Sequence, residues 1–206
     1  MAQLPSDRPA ELGDALFEFL LSRRSATSLG PPGPSNADLE RLLSVSVTVP
    51  DHGQLRPFRF AVVSGDGRTA FGNALADSAL ERKPELPERA LESMRAKALR
   101  SPTSIVLIAS PKPGKIEVWE QNATAACTGY AIVLAAHALG IGAVWKSVPF
   151  TRGQGLTELF NLGPAEEVIG WIHLGTSTQE PAEREPFDVS AVTTIVDGAT
   201  PRPFQP

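Results

Sequence analysis

The chain has a single cysteine, Cys127, among its 206 residues. An internal disulfide is therefore impossible, and nothing in the composition asks for an oxidising compartment. Histidine is nearly as scarce. His52, His137 and His173 stand far apart, and no His-x-x-x-His or Cys-x-x-Cys occurs, so no metal-site spacing is present; His173 alternates on a strand with Trp171 and His137 ends a helix, and both read as satisfied structural histidines. Nothing matches the Gly-x-Ser-x-Gly elbow of a hydrolase. A Cys127–His52–Asp51 triad is the remaining hydrolytic option, but Cys127 sits among alanines in a helical stretch, where a small buried thiol is the ordinary explanation. Long hydrophobic runs are also missing. The most apolar segment, Ala123–Leu139, carries Thr124, Thr128 and His137 and reads as a buried helix, not a membrane span. The opening MAQLPSDRPAELGD lacks the basic and apolar regions of a signal peptide, so a cytoplasmic location is expected. Net charge is −4 with no long block of one sign, which argues against a nucleic-acid or anionic-membrane partner.

What remains is enough for one domain. A chain of this size buries roughly 70% of its unfolded surface and needs no staples. Leu12, Ala15, Leu16, Phe19 and Leu20 keep helical spacing and predict a helix over 11–23. Ser35 stands three before Asp38, a capping-box-like start to a second helix. PFRFAVVSGDG reads as a strand and a turn, and the polar stretch from Arg68 to Arg100 as two helices broken around Pro84 and Pro87. SIVLIAS is a strand buried on both faces. Asn122–Leu139 is a helix apolar almost all round, closed by Gly140. GAVWKSV, the short helix GQGLTELF and the strand EEVIGWIHLGT follow. Elements of both kinds alternate loosely around one sheet, giving an α/β or α+β sandwich. The proline-rich residues 179–206 read as an extended tail.

Four stretches carry candidate chemistry. GDGRTA, Gly65–Ala70, fits the dinucleotide-binding G-x-G-x-x-G/A pattern, but Asp66 would put a carboxylate in the phosphate turn and the next strand comes late. A strand-to-helix turn explains it better. Arg23 falls eleven residues after Leu12, within about 20° of it on a helical wheel, so the apolar face ends in a guanidinium. Arg23, Arg24 and Ser25 suit either a helix C-terminus, which favours cations, or a phosphate. Lys146 alternates with Trp145 and Ser147 in an apolar strand; it either snorkels to solvent or meets an anion. Pro50-Asp51-His52, just ahead of a strand, is half a triad, part of a metal site, or a loop that greets a ligand.

Read together, these residues resemble the FMN-dependent nitroreductase family, and within it the short YdjA-like branch. RRSA at Arg23–Ala26, PDH at Pro50–His52, WEQNATAAC at Trp119–Cys127, GIGAVWKS at Gly140–Ser147 and GWIHLGT at Gly170–Thr176 follow in the family's order. The likeness covers about Leu12 to Thr178. It implies an α+β fold with a mostly antiparallel central sheet flanked by helices, paired as an intertwined homodimer with FMN at the interface. Arg23, Arg24 and Ser25 would hold the phosphate and ribityl chain, and Trp145, Lys146 and Ser147 the second cofactor segment of the same subunit. Pro50, Asp51, His52 and Gln54 would reach the flavin from the partner chain. NADH or NADPH would deliver hydride to the flavin and a nitroaromatic, quinone or enone-like acceptor would take it, in ping-pong fashion, with no acid–base residue supplied by the protein. A flavin storage protein and a Rossmann-type dehydrogenase are the competing readings. Three positions depart from the branch: Phe58 replaces a tryptophan, Lys146 an arginine, and Thr48 a basic residue.

Overall fold

The computed structural model describes residues 10–148, 150–180 and 182–205. Residues 1–9, which begin the stretch read as lacking a signal peptide, lie outside it.

Five strands form an antiparallel sheet. β2 (Phe58–Ser64) pairs with β3 (Thr103–Ala109), β3 with β5 (Glu167–Ser177), and the far edge of β5 takes both β4 (Gly142–Lys146) and the two-residue β1 (Leu29–Gly30). β3 is buried along its whole length, as a continuous apolar run requires. Its alternation sorts the core into two layers. Val106 and Ile108 face α3 (Gly67–Arg82), α4 (Glu88–Ala98) and α6 (Gln154–Phe160), packing with Phe71, Leu75, Leu156 and Trp171. Ile105 and Leu107 face α5 (Val118–Ala138) and α2 (Asn36–Ser44), packing with Leu42, Ile132, Ala136 and Ile172. Helices cover both faces of an antiparallel sheet, so the fold is α+β.

Local signals hold up where they rest on backbone chemistry. The capping box is present: Asp38 N–H donates to Ser35 Oγ at 3.2 Å, and Ser35 N–H donates to Asp38 Oδ2 at 3.0 Å. Gly65–Ala70 is a turn into α3, and β2 runs antiparallel to the strand that follows. A Rossmann unit needs a parallel crossover there, which excludes that reading. β5 carries an irregularity in its pairing with β3 after Leu107, where Gly170 sits at φ 152°. A Cβ on Gly170 would run into the Trp145 indole, so glycine is required on both counts.

Two surfaces are left uncovered. Among the described residues, α1 (Ala10–Ser22) is tied to the rest of the fold at its last turn, where Phe19 stacks on His137 at 4.7 Å and Ser22 Oγ bonds His137 Nε2 at 3.0 Å. Its apolar side chains Leu12, Leu16, Phe17, Leu20 and Leu21 are 44–61% exposed. On α5, Trp119, Cys127 and Tyr130 face outward while the opposite stripe fills the core. The expectation that Cys127 is buried therefore fails within one chain: its helix is apolar almost all round, and the chain itself covers only the core-facing side. The segment after Gln179 is not wholly extended; it makes a 3₁₀ turn at Val189–Val192 and a two-residue ladder between β6 (Thr194–Ile195) and β7 (Arg202–Pro203).

Candidate functional site

The site begins with the alternation of β4. Val144 opposes His173 and Lys146 opposes Trp171, so the Lys146 side chain leaves on the α3/α4/α6 face. Trp145 turns the other way and packs between Gly129 of α5 and Gly170 of β5. Ser147 lies beyond the strand end. The chain leaving α1 runs beside this edge, anchored by Ala26 N–H donating to the Ala143 carbonyl at 2.9 Å.

A cavity of about 290 Å³ opens at that edge, lined by Ser25, Thr27, Arg100, Val144, Lys146 and His173. An adjoining cavity of about 220 Å³ shares Arg100, Lys146 and His173 and adds Lys97, Ser147 and Trp171. Together they present three cations and three hydroxyls and no carboxylate. None of the ion pairs among the described residues involves Lys97, Arg100 or Lys146. An uncompensated positive cluster lined with hydroxyl donors is a place for an anion.

His173 forms the floor. It is buried, and Trp171 Nε1–H donates to its Nε2 at 2.9 Å. An indole N–H can only donate, so the ring proton sits on Nδ1, which faces Ser101 Oγ at 2.7 Å and Ser104 Oγ at 2.9 Å. Burial, helped by the charges of Lys146 and Arg100, pushes its pKa down to about 4. The histidine is thus a neutral, fully bonded part of the wall.

The α1 exit contributes less than its sequence suggests. Ser25 lines the cavity. Arg24 folds back, its Nη1 donating to the carbonyls of Leu21 at 2.7 Å and Arg23 at 3.1 Å, as a cation at a helix C-terminus does. It lines a separate cleft of about 200 Å³ with Ser22, His137 and Ser177. The Arg23 carbonyl also accepts from Arg184 of the tail at 2.8 Å, and the Arg23 side chain lines neither cation cavity.

The Pro50–Gln54 loop is built as a rigid unit. Asp51 accepts from the Leu55 and Arg56 amides at 3.1 and 2.8 Å. Those bonds hold Gln54 and Arg56 in the left-handed region, at φ 53° and 47°. Thr124 Oγ1 donates to the Pro50 carbonyl at 2.9 Å, and His52 Nδ1 lies 3.0 Å from Glu120 Oε2. Asp51 and Gln54 also line a cleft of about 290 Å³ with Arg56 and Phe58.

Both anchors of the loop are on α5, which covers one face of the sheet, whereas the cation cavity opens on the other. Within one chain the two halves of the expected site are not brought together. Lys97, Arg100 and Glu120 were not singled out from sequence, and His173 was read only as a structural histidine. Lys97 and Arg100 look like ordinary cations at the end of a helix, and only the fold sets them beside a lysine some fifty residues on.

The arrangement is an antiparallel α+β sandwich with an anion-seeking cavity at the edge strand and an unpaired helical surface. A family model described as "Nitroreductase family" matches residues 20–176. The chain belongs to the nitroreductase family. It is 32% identical over 164 residues to the Escherichia coli K12 protein named "Putative NAD(P)H nitroreductase YdjA", covering 79% of this chain and 88% of that one. It is 34% identical over 174 residues to a Haemophilus influenzae protein named "Putative NAD(P)H nitroreductase", covering 84% and 92%. Among solved structures, a nitroreductase-like family protein from Bacillus cereus superimposes with TM-score 0.76 at 21% identity, covering 96% of this chain and all of that one. A Bacteroides fragilis nitroreductase with bound FMN gives TM-score 0.66 at 20% identity, covering 88% and 98%. No helix among the described residues is long and apolar enough to cross a membrane.

Proposed function

We propose that the protein is an FMN-dependent oxidoreductase that works as a homodimer, takes reducing equivalents from NADH or NADPH and passes them to a nitroaromatic, quinone or enone-like acceptor. The observation that carries this is the cation cavity at the β4 edge: Lys97, Arg100 and Lys146 with Ser25, Thr27 and Ser147, and no carboxylate. That donor set fits the phosphate arm of FMN. The names of the relatives and the flavin in the Bacteroides fragilis structure support the same reading.

Lys146 and Arg100 would hold the phosphate, the first as a point charge and the second as a planar fork. Ser25 and Ser147 would donate hydroxyl bonds to it. Arg23, just past α1, lines neither cavity in the single chain and would join them only once a partner subunit fixes α1. Trp145, held between two glycines, sets the shape of the strand end behind Lys146. The loop Pro50–Gln54 lies on the other face of its own sheet, so a second copy would supply it. When bound, FMN supplies hydride acceptance and donation, and the protein's part is to bind, orient and exclude water. In the single chain no carboxylate lines the cation cavities, which suits a site that needs no acid–base residue there.

Purified protein titrated with FMN and with riboflavin tests the reading. Wild type should bind FMN more tightly, and Arg100→Gln should lose about tenfold in FMN affinity while riboflavin binding stays unchanged. Anaerobic NADH or NADPH should then bleach the bound flavin. Protein that holds FMN but leaves it oxidised is a flavin carrier; protein that ignores FMN is neither.

A further inference from the structure

The Pro50–Gln54 loop is held by one turn of α5. Glu120, Gln121 and Thr124 each bond a different part of the surrounding chain. The Gln121 side chain, which is buried, bonds the backbone of Lys112 and Ile116. Ile116 in turn packs beneath Gly53, where a Cβ would come within 2.8 Å of its Cδ1. Thr124 holds the Pro50 carbonyl and Asp51 caps the loop's exit. The one bond in this set that fixes no backbone is Glu120 to His52. It connects a half-buried carboxylate to a ring that is 70% exposed, in a loop already anchored at both ends.

We infer that Glu120 is a positioning residue whose task is to fix the tautomer and direction of His52. The carboxylate of Glu120 only accepts, so the neutral ring must carry its proton on Nδ1. The exposed Nε2 is then left as an acceptor pointing away from α5. A histidine so held meets a ligand N–H or O–H and presents nothing to a bare oxygen. On the reading of His52 as a partner-facing cofactor residue, on which this inference rests, the matching groups of FMN are its ribityl hydroxyls and its ring imide N–H. The pattern is that of a carboxylate orienting a ligand-binding imidazole through the nitrogen the ligand does not use. It also accounts for why the loop is so heavily tied down. A single acceptor bond is directional, and a loop free to move by an ångström would lose it.

The test uses the full-length protein with its histidines labelled with ¹⁵N, His52 being assigned by its loss in His52→Ala. Long-range proton–nitrogen correlation should show the Nδ1–H tautomer for His52 in wild type and its loss in Glu120→Ala. FMN affinity should fall about three- to tenfold in Glu120→Ala and by a similar factor in His52→Ala, with no further loss in the double variant. Melting temperatures close to wild type would show that the loop itself stays folded. An unchanged tautomer in Glu120→Ala, or losses that add in the double variant, overturns the inference. Wild-type protein that fails to bind FMN overturns the cofactor reading instead, and the tautomer measurement separates the two failures.

Discussion

At the scale of single residues, the wall of the cation cavity has a pH signature. His173 is neutral when folded and its pKa is pushed down to about 4, against 6.5 for the free side chain. Between those values the unfolded chain binds a proton that the folded one refuses. The stability this contributes is complete above about pH 6.5 and lost as pH falls toward 4, up to about 3 kcal/mol. Glu166 titrates lower. Hydrogen bonds from Arg59 hold it at about 2, against 4.5 in an unfolded chain, so its contribution is complete above about pH 5 and is lost as pH falls through 4.5 toward 2. Asp38 and Asp188 are lowered from 3.8 by bonds to Ser35 and Ser190, so what they contribute is lost as pH falls through 3.8. Urea unfolding at intervals from pH 7 to 5, above the range in which those carboxylates titrate, should show the His173 slope. His173→Phe should be less stable at pH 7, having left the Trp171 N–H without an acceptor, yet its stability should change little across the same interval. Equal slopes in the two proteins would refute the assignment. The sequence placed His173 correctly beside Trp171 on a strand and read it as a satisfied structural histidine, because period-two alternation is local. It could not show the two serines or the two cations around it, which arrive from elsewhere in the fold.

At the scale of elements, patterning worked where one chain satisfies it and misled where one chain leaves an apolar face uncovered. The capping box, the fully apolar β3 and the separation of Lys146 from Trp145 were all legible, since each depends on neighbours along the chain. The helix predicted over 11–23 is observed at Ala10–Ser22, yet its apolar stripe is exposed. The same excess explains Cys127 and Tyr130 on the outer side of α5. A stripe of five large apolar side chains about half exposed is costly for a monomer. Finishing its burial is worth on the order of 1 kcal/mol per residue. Charge at its centre should therefore act on assembly and not on the fold. Phe17→Asp is expected to shift the protein toward monomer in analytical ultracentrifugation while the far-ultraviolet circular dichroism of the core is kept. A variant that stays dimeric at micromolar concentration would show that α1 is not part of the interface.

At the scale of the molecule, the sheet itself argues for two copies. A cation cavity opens on one of its faces, and the rigid histidine loop hangs from the helix that covers the other. If one ligand touches both, the two must come from different chains, and a C₂ dimer would then carry two such sites. From the sequence such a shared site is an expectation only through family resemblance, because spacing along a chain says nothing about which copy supplies a residue. The consequence can be checked by pairing variants damaged on opposite sides. Lys146→Ala and His52→Ala, co-expressed with different affinity tags, should give heterodimers recoverable through both tags. In such a heterodimer one site would lose both residues, while the other would draw an intact Lys146 from one chain and an intact His52 from its partner. It should bind about one FMN per dimer at wild-type affinity, although each parent homodimer binds weakly at both sites. If a single chain built its own site, every site in the heterodimer would carry one defect, and no tight binding would return. A protein that cannot be recovered through both tags would not be a dimer at all, and the shared site would fall with it.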